Sequence, residues 1–398
     1  MTTTAPAPQS VQPGDDALIG GASSPAGPAQ AGATPSARAG AAPRTPGRGS
    51  AVQAAQRSDF LELKRKVKAA GLLGRRPGWY IARGVVLLVA FGGAFTLLFT
   101  LGRTPWQLAV AVLFGVLFTQ AAFLGHDAAH QQVFSSGKRN EWLSILVANL
   151  VVGLSNGWWA RKHGKHHADP NTIGKDGDIK TGALVFNPED APGRSGVLGW
   201  VTRRQGWLFF AMITLEGFNL HFRAIQTIVT SKDLRYRALE SVLVAVRLIG
   251  FPVLLVFALG PWLGLAFLVV ELMVFGFYMG ASFAPNHKGM PLIGKNDTVN
   301  FLHRQVMTSR NIRGGAAMTW AMGGLNLQIE HHLFPRMPSV NLRQVRPMVR
   351  ELCEARDIPY TETGLLESYR IVVEYLNRVG LGHADPFECP MVMNNRPF

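Results

Sequence analysis

Seven of the eleven histidines fall into three tight groups. His126 and His130 frame HDAAH, His163, His166 and His167 lie in HGKHH, and Gln328, His331 and His332 lie in QIEHH. On a helix, spacings of i, i+4 and i, i+3, i+4 put side chains on one face about a turn apart. Imidazoles on such a face can converge on a metal ion. Neutral imidazole suits zinc, copper, iron and nickel without selecting among them. A single histidine at the end of an apolar helix would be more simply a satisfied core or interfacial residue. Three groups crowded together are different, because uncompensated imidazoles carry hydrogen-bonding and charge penalties that coordination removes. The groups therefore read as a metal site. His221, His303 and His383 have no cluster around them and read as ordinary polar residues. Asp127, Asp178 and Glu330 could orient ligating imidazoles, or could equally pair with nearby Lys and Arg.

The elements that must position these groups are apolar. Four stretches are long enough to span a bilayer, which takes about 20 residues: 84–102, 106–125, 241–259 and 262–284. Each pair is joined by a very short link, so the sequence predicts two helical hairpins. The stretch 142–160 is apolar but interrupted by Asn149, Ser155 and Asn156, which predicts a partly embedded or re-entrant segment. The stretch 205–230 carries Glu216, His221 and Arg223 and reads as an interfacial helix. From Ser58, Phe60, Leu61, Leu63, Val67 and Leu72 alternate with Lys and Arg, as in a short helix on an anionic membrane surface or an ordinary solvated basic helix. Residues 1–57 are rich in Ala, Pro, Gly, Ser, Thr and Gln and are expected to be a disordered tail; 381–398 are expected to be a C-terminal tail.

Composition and charge agree with a membrane protein. The chain has 398 residues, 47% hydrophobic and only 16% charged, against about 25% charged in typical soluble domains. Two cysteines, neither in a Cys-x-x-Cys pair, exclude a disulfide framework and a thiolate metal site. All but two of the 40 Lys and Arg, Arg103 in a short link and Arg247 within a span, fall on one side of this layout. The positive-inside rule makes that side the cytoplasm, with both termini there. The net charge of +15 is thus a topology signal, and no nucleic-acid partner is expected. Both His126 and His287 leave spans on this face, so eight histidines can meet at one membrane-proximal site. Eight nitrogens exceed what one four- to six-coordinate ion accepts, so two ions are the economical reading.

The order H-x3-H, H-x2-H-H, Q-x2-H-H around two apolar pairs resembles the integral-membrane fatty acid desaturase family. GHDAAHQ, FAPNHKGMP, QVMTSRN and GGLNLQIEHHLFPRMP carry the likeness, which covers roughly residues 60 to 380. It implies an all-α integral membrane fold with a cytoplasmic helical cap, a 58–380 catalytic unit, and a di-iron centre that uses dioxygen on a fatty acyl chain. The implied ligands are His126, His130, His163, His166, His167, His331 and His332, with His287 as the extra ligand from the end of the fourth span. Gln328 stands where many members have histidine; this form is similar to front-end and actinobacterial acyl desaturases, and it either ligates iron or hydrogen-bonds within the site.

The implied substrate is an acyl group on coenzyme A, carrier protein or phospholipid, in the cell membrane. The chain has no His-Pro-Gly-Gly motif of a fused b-type cytochrome, so the expected electron donor is a separate protein such as a ferredoxin or a flavin-dependent reductase. A di-iron hydroxylase or ketolase would share such boxes and differ in its product. A histidine-rich metal transporter or sensor would need ionisable residues lining a path through the spans, where this sequence has only Arg247 and Glu271.

Overall fold

The computed structural model describes residues 48–382, with side chains from Ser58 onward. Most of the expected N-terminal tail, nearly all of the C-terminal one, and His383 lie outside the described residues. Helix α1, Arg48–Ala69, begins ten residues inside the stretch expected to be disordered, where Ala, Gln and Arg favour helix over coil. Its Leu63 and Val67 are buried. They share a core with residues further along the chain, including Leu342, Val345 and Val349. Most of the apolar stripe that the sequence offered to a membrane surface is thus covered by protein, while Leu61, Lys64, Arg65 and Lys68 stay exposed.

The four apolar helices are present. Helix α2, Pro77–Thr100, starts with Pro77 at a position where its missing N–H costs nothing. Helix α3, Gln107–Ala129, follows and packs against it. Both run past the expected bounds, because the polar turns bearing Tyr80, Arg83, His126 and Asp127 continue the same helices. Helix α4, Gly137–Ile145, runs through a π-helical stretch, Leu146–Val152, and reverses sharply into α5, Asn156–Ala168. The two arms meet at 113°, at the polar residues that interrupt the fifth apolar stretch.

The expected single helix over 205–230 is divided. Short α6, Gly196–Thr202, is followed by α7, Gln205–Ile213, and α8, Glu216–Thr230. Phe218, Phe222, Ile225 and Val229 form an exposed stripe on α8. Its other face buries Gly217, His221, Ala224 and Ile228. The third span joins α9, Arg237–Ala245, through a π-helical turn, Val246–Gly250, to α10, Phe251–Leu259. Pro252 explains the turn, since it has no N–H for the carbonyl four residues earlier and its ring crowds that carbonyl. Helix α11, Pro261–His287, is the fourth span. All four are long and apolar enough to cross a membrane.

Aromatic rings fill the space between the spans. Phe114 of α3 lies 5.5 Å from Phe251 and 5.7 Å from Phe267, centroid to centroid. Leu88, Val89, Phe257 and Trp262 point outwards and are largely exposed, as expected of a lipid-facing surface. Beyond the spans, α12 (Phe301–Met307), α13 (Ala316–Ala321), α14 (Gln328–Leu333), α15 (Leu342–Ala355) and α16 (Leu365–Gly380) complete the helices. Two short strands, β1 (Asn311–Ile312) and β2 (Glu362–Thr363), pair in parallel.

Where α8 crosses α11 the backbones touch. A Cβ on Gly276 would come within 2.3 Å of the Gly217 nitrogen and 3.0 Å of the Ile213 carbonyl oxygen. Small residues at such crossings permit the close approach on which apolar helix pairs depend. Gly276→Ala should therefore lower the thermal midpoint of the detergent-solubilised protein by several degrees, the response to an overpacking cost of about 1–3 kcal/mol. Gly84→Ala, where nothing lies within 4 Å, should not lower it. Equal midpoints for the two variants would refute the close crossing.

Candidate metal centre

The end of α3 supplies His126, and His130 caps that helix. Helix α5 supplies His163, His166 and His167; the last turn of α11 supplies His287; α14 supplies Gln328, His331 and His332. The fold brings all nine together. Ring nitrogens of His126, His130, His163, His167 and His331 lie within 4.8 Å of one another, and those of His166, His287 and His332 form a second such group. The Nε2 atoms of His130 and His163 are 2.8 Å apart, those of His163 and His167 3.0 Å, and those of His166 and His287 3.3 Å. The Nε2 atoms of His126, His331 and His332 are buried without a hydrogen-bond partner.

For His126 and His332 the opposite ring nitrogens explain why, and His166 and His287 are held in the same way. His126 Nδ1 lies 3.3 Å from Asp127 Oδ1, and His166 Nδ1 lies 2.9 Å from Asp176 Oδ2. His287 Nδ1 donates to the Thr308 carbonyl at 2.9 Å, and His332 Nδ1 to Gln305 Oε1 at 2.8 Å. Each acceptor fixes the proton on Nδ1 and leaves an Nε2 lone pair aimed inwards. Buried, convergent nitrogens of this kind, unpaired at His126, His331 and His332, fit a cation.

A further layer holds the acceptors. Asp127 accepts from Ser339 Oγ at 2.8 Å and Tyr80 Oη at 3.2 Å, and it pairs with Arg83 at 3.4 Å. Asp176 accepts the backbone N–H groups of Asn171 and Asp178. Gln305 also donates to the His167 carbonyl, tying α12 to α5. Arg310, fully buried, donates to the carbonyls of Pro285 and Lys288 and closes the end of α11 beside His287.

Of the three carboxylates flagged by sequence, Asp127 reaches an imidazole directly. Asp178 lies 3.4 Å from His166 Nδ1 and pairs with Lys162. Glu330 meets no imidazole; it accepts from Tyr360 and Asn311 at 2.7 and 2.8 Å. Asp176, Gln305, Thr308, Tyr80, Ser339 and Arg310 escaped the sequence reading. Of these, Asp176, ten residues beyond His166, and Ser339, seven beyond His332, lie close to a histidine group in the sequence.

Gln328 sits at the second group, with its amide nitrogen 3.0 Å from His287 Nε2. Its amide oxygen accepts from Asn286 Nδ2 at 3.3 Å. This network turns an N–H donor towards the site. His221 instead faces the Val152 carbonyl at 2.9 Å, and His303 contacts Asn300, so neither joins the cluster.

Burial, reinforced by neighbouring imidazoles, holds His130, His163, His167, His331 and His332 well below the ordinary imidazole value. They are neutral at neutral pH, as ligation requires. A narrow apolar cavity adjoins the first group, lined by His126, Trp159, Phe123, Ala122, Met279 and Phe283 among others.

Comparison with known proteins gives the family. Residues 103–364 match the family described as fatty acid desaturase. A delta-5 fatty acid desaturase of Caenorhabditis elegans is 29% identical over 333 residues, 80% of this chain and 73% of its own length. A delta-6 fatty acid desaturase of the same organism is 28% identical over 334 residues, covering 80% of this chain and 74% of the relative. An acyl-lipid (9-3)-desaturase of Borago officinalis is 30% identical over 287 residues, 69% of this chain and 64% of that relative. The chain belongs to the fatty acid desaturase family; it is an oxidoreductase, and its four apolar helices make it a membrane protein.

Two outcomes follow from the geometry. Asp176→Ala removes the acceptor that fixes the His166 tautomer and should weaken metal binding by about 10- to 100-fold, read by competition with a chelator; unchanged affinity would count against that role. The second concerns pH. In the unfolded chain these histidines take up protons near pH 6.5, whereas in the fold they resist protonation, so below that pH the unfolded state binds more protons. The metal-free protein should lose thermal stability as pH falls from 7.5 to 5.5, and a flat or rising midpoint would contradict the burial of neutral imidazoles.

Proposed function

We propose that this chain is a membrane fatty acid desaturase whose eight clustered histidines hold two iron ions, with dioxygen as co-substrate. In this reading the four spans form two hairpins beneath a helical cap, and residues 58–380 make one catalytic unit between two tails. The cap, the active site and both termini face the cytoplasm of the cell membrane. The one-sided placement of Lys and Arg supports that orientation. The convergence of unpartnered Nε2 atoms supports the metal assignment above any other observation.

Two iron ions would supply, with dioxygen, the oxidising power to remove two hydrogens from an unactivated methylene pair. The balance is one acyl CH2–CH2, one dioxygen, two electrons and two protons going to one double bond and two waters. Every other task belongs to the protein. His126, His130, His163, His167 and His331 offer one set of donors, and His166, His287 and His332 the other. Asp127, Asp176, Gln305 and the Thr308 carbonyl keep four of those donors aimed, on His126, His166, His332 and His287, and Gln328 hydrogen-bonds within the site through its amide nitrogen. The apolar cavity beside His126 would hold a stretch of acyl chain away from water, which protects an oxidising site from side reactions. The two electrons would come from a separate carrier such as a ferredoxin or a flavin-dependent reductase, and the basic face suits an acidic one. The acyl group would arrive on coenzyme A, carrier protein or phospholipid.

Expression in a host lacking desaturases, supplied with a competent electron donor, should add a new double bond to the fatty-acid profile. His166→Ala and His331→Ala should each abolish it at equal protein level. An unchanged profile for the intact chain would refute the function, and a hydroxylated or keto product would move the assignment to an oxygen-inserting enzyme.

A further inference from the structure

An acidic and a basic side chain within the third span have no part in the metal centre. Glu240 and Arg247 lie seven residues apart on the helix that continues from α9 into its π-helical turn, and both are buried. A charge so placed is costly unless it has a specific partner. Neither is the other's partner. Both reach the reversal between the π-helical end of α4 and the start of α5, one on each side.

At the incoming arm, the Gly153 and Leu154 N–H groups both bond to the Ala148 carbonyl, so the last carbonyls of the helix are left over. Arg247 Nε donates to the Val151 carbonyl at 3.0 Å, and His221 Nε2 meets the Val152 carbonyl at 2.9 Å. The Arg247 guanidinium is held in turn by Glu271 at 3.2 Å and lies over the rings of Phe118 and Phe251. At the outgoing arm, Ser155 caps α5 by accepting from the Trp158 N–H. Glu240 takes the Ser155 hydroxyl at 2.5 Å and the Gly157 N–H at 3.0 Å. The cation meets the negative end of one helix and the anion the positive end of the next, as the peptide dipoles demand.

The turn between them has no slack. Gly153 has φ +89°, and a Cβ there would lie 2.9 Å from Arg247 Cγ. A Cβ on Gly157 would lie 3.1 Å from Glu240 Oε1, so glycine lets the carboxylate reach the helix start. The outgoing helix carries His163, His166 and His167, and the same reversal lines the cavity beside His126 through Ala148, Val152, Leu154 and Trp159.

We propose that Glu240 and Arg247 are positioning residues: they clamp the two arms of the Gly153–Ser155 reversal and thereby aim the central histidine group at the metal site. The consequence for metal binding rests on the di-iron reading; the clamp itself does not. Spin labels at exposed Lys138→Cys and Lys165→Cys, in a Cys353→Ala, Cys389→Ser background, report the separation of the two arms without any metal. In metal-free protein, Glu240→Ala and Arg247→Met should each shift or broaden the interlabel distance by several ångströms. Each should also weaken iron(II) binding at least 10-fold in the folded, monodisperse fraction. Glu240→Gln, which keeps an acceptor, and Arg247→Lys, which keeps a donor, should restore most of both and remain measurable if the harsher variants fail to fold. A distance distribution unchanged in all four would overturn the clamp. A shifted distance with no iron bound by the parent chain would uphold the clamp and sink the di-iron reading instead.

Discussion

The structure turns on one conflict: imidazole nitrogens crowd together inside the protein, some about 3 Å apart, and the Nε2 atoms of His126, His331 and His332 have no hydrogen-bond partner. Lone pairs so arranged repel, and burial removes the water that would otherwise satisfy them. A cation at their focus turns the repulsion into coordination. For His126, His166, His287 and His332 the inward direction is set from outside, because Asp127, Asp176, the Thr308 carbonyl and Gln305 hold their other ring nitrogens. The scaffold around the site can be read as whatever keeps those four acceptors in place.

That requirement explains why polar groups are buried where membrane-spanning helices end. Tyr80 and Arg83 at the start of α2 and Ser339 before α15 converge on Asp127, which joins three distant parts of the chain behind one histidine. Arg310 caps α11 just past His287, and Gln305 links α12 to α5. Such networks are rigid when complete and costly when broken. They let a site built from four separate helices hold a fixed geometry next to a deformable apolar medium.

The sequence made the histidines and the spans legible for a physical reason. Both signals are local: apolar length marks a span, and helical spacing marks a shared face. Relations across the chain were less visible. Asp176 lies in a connection with no helical period, and Gln305, Thr308 and Ser339 matter only through partners far away in sequence. The stripe on α1 was legible as amphipathic, but periodicity cannot say whether a helix turns that face to lipid or to protein; Leu342, Val345 and Val349 decide it. The stretch 205–230 divides between α7 and α8, while the interruptions at Asn149, Ser155 and Asn156 did foreshadow the reversal that orients α5.

The central claim is that the two groups of histidines hold a pair of iron ions through nitrogen. Iron content per folded chain, measured together with X-ray absorption at the iron edge on the purified protein, tests it most directly. The account predicts two irons per chain, each in a shell dominated by nitrogen with the multiple-scattering pattern of imidazole. One iron or none per chain after loading, or a shell dominated by oxygen or sulfur, would contradict it.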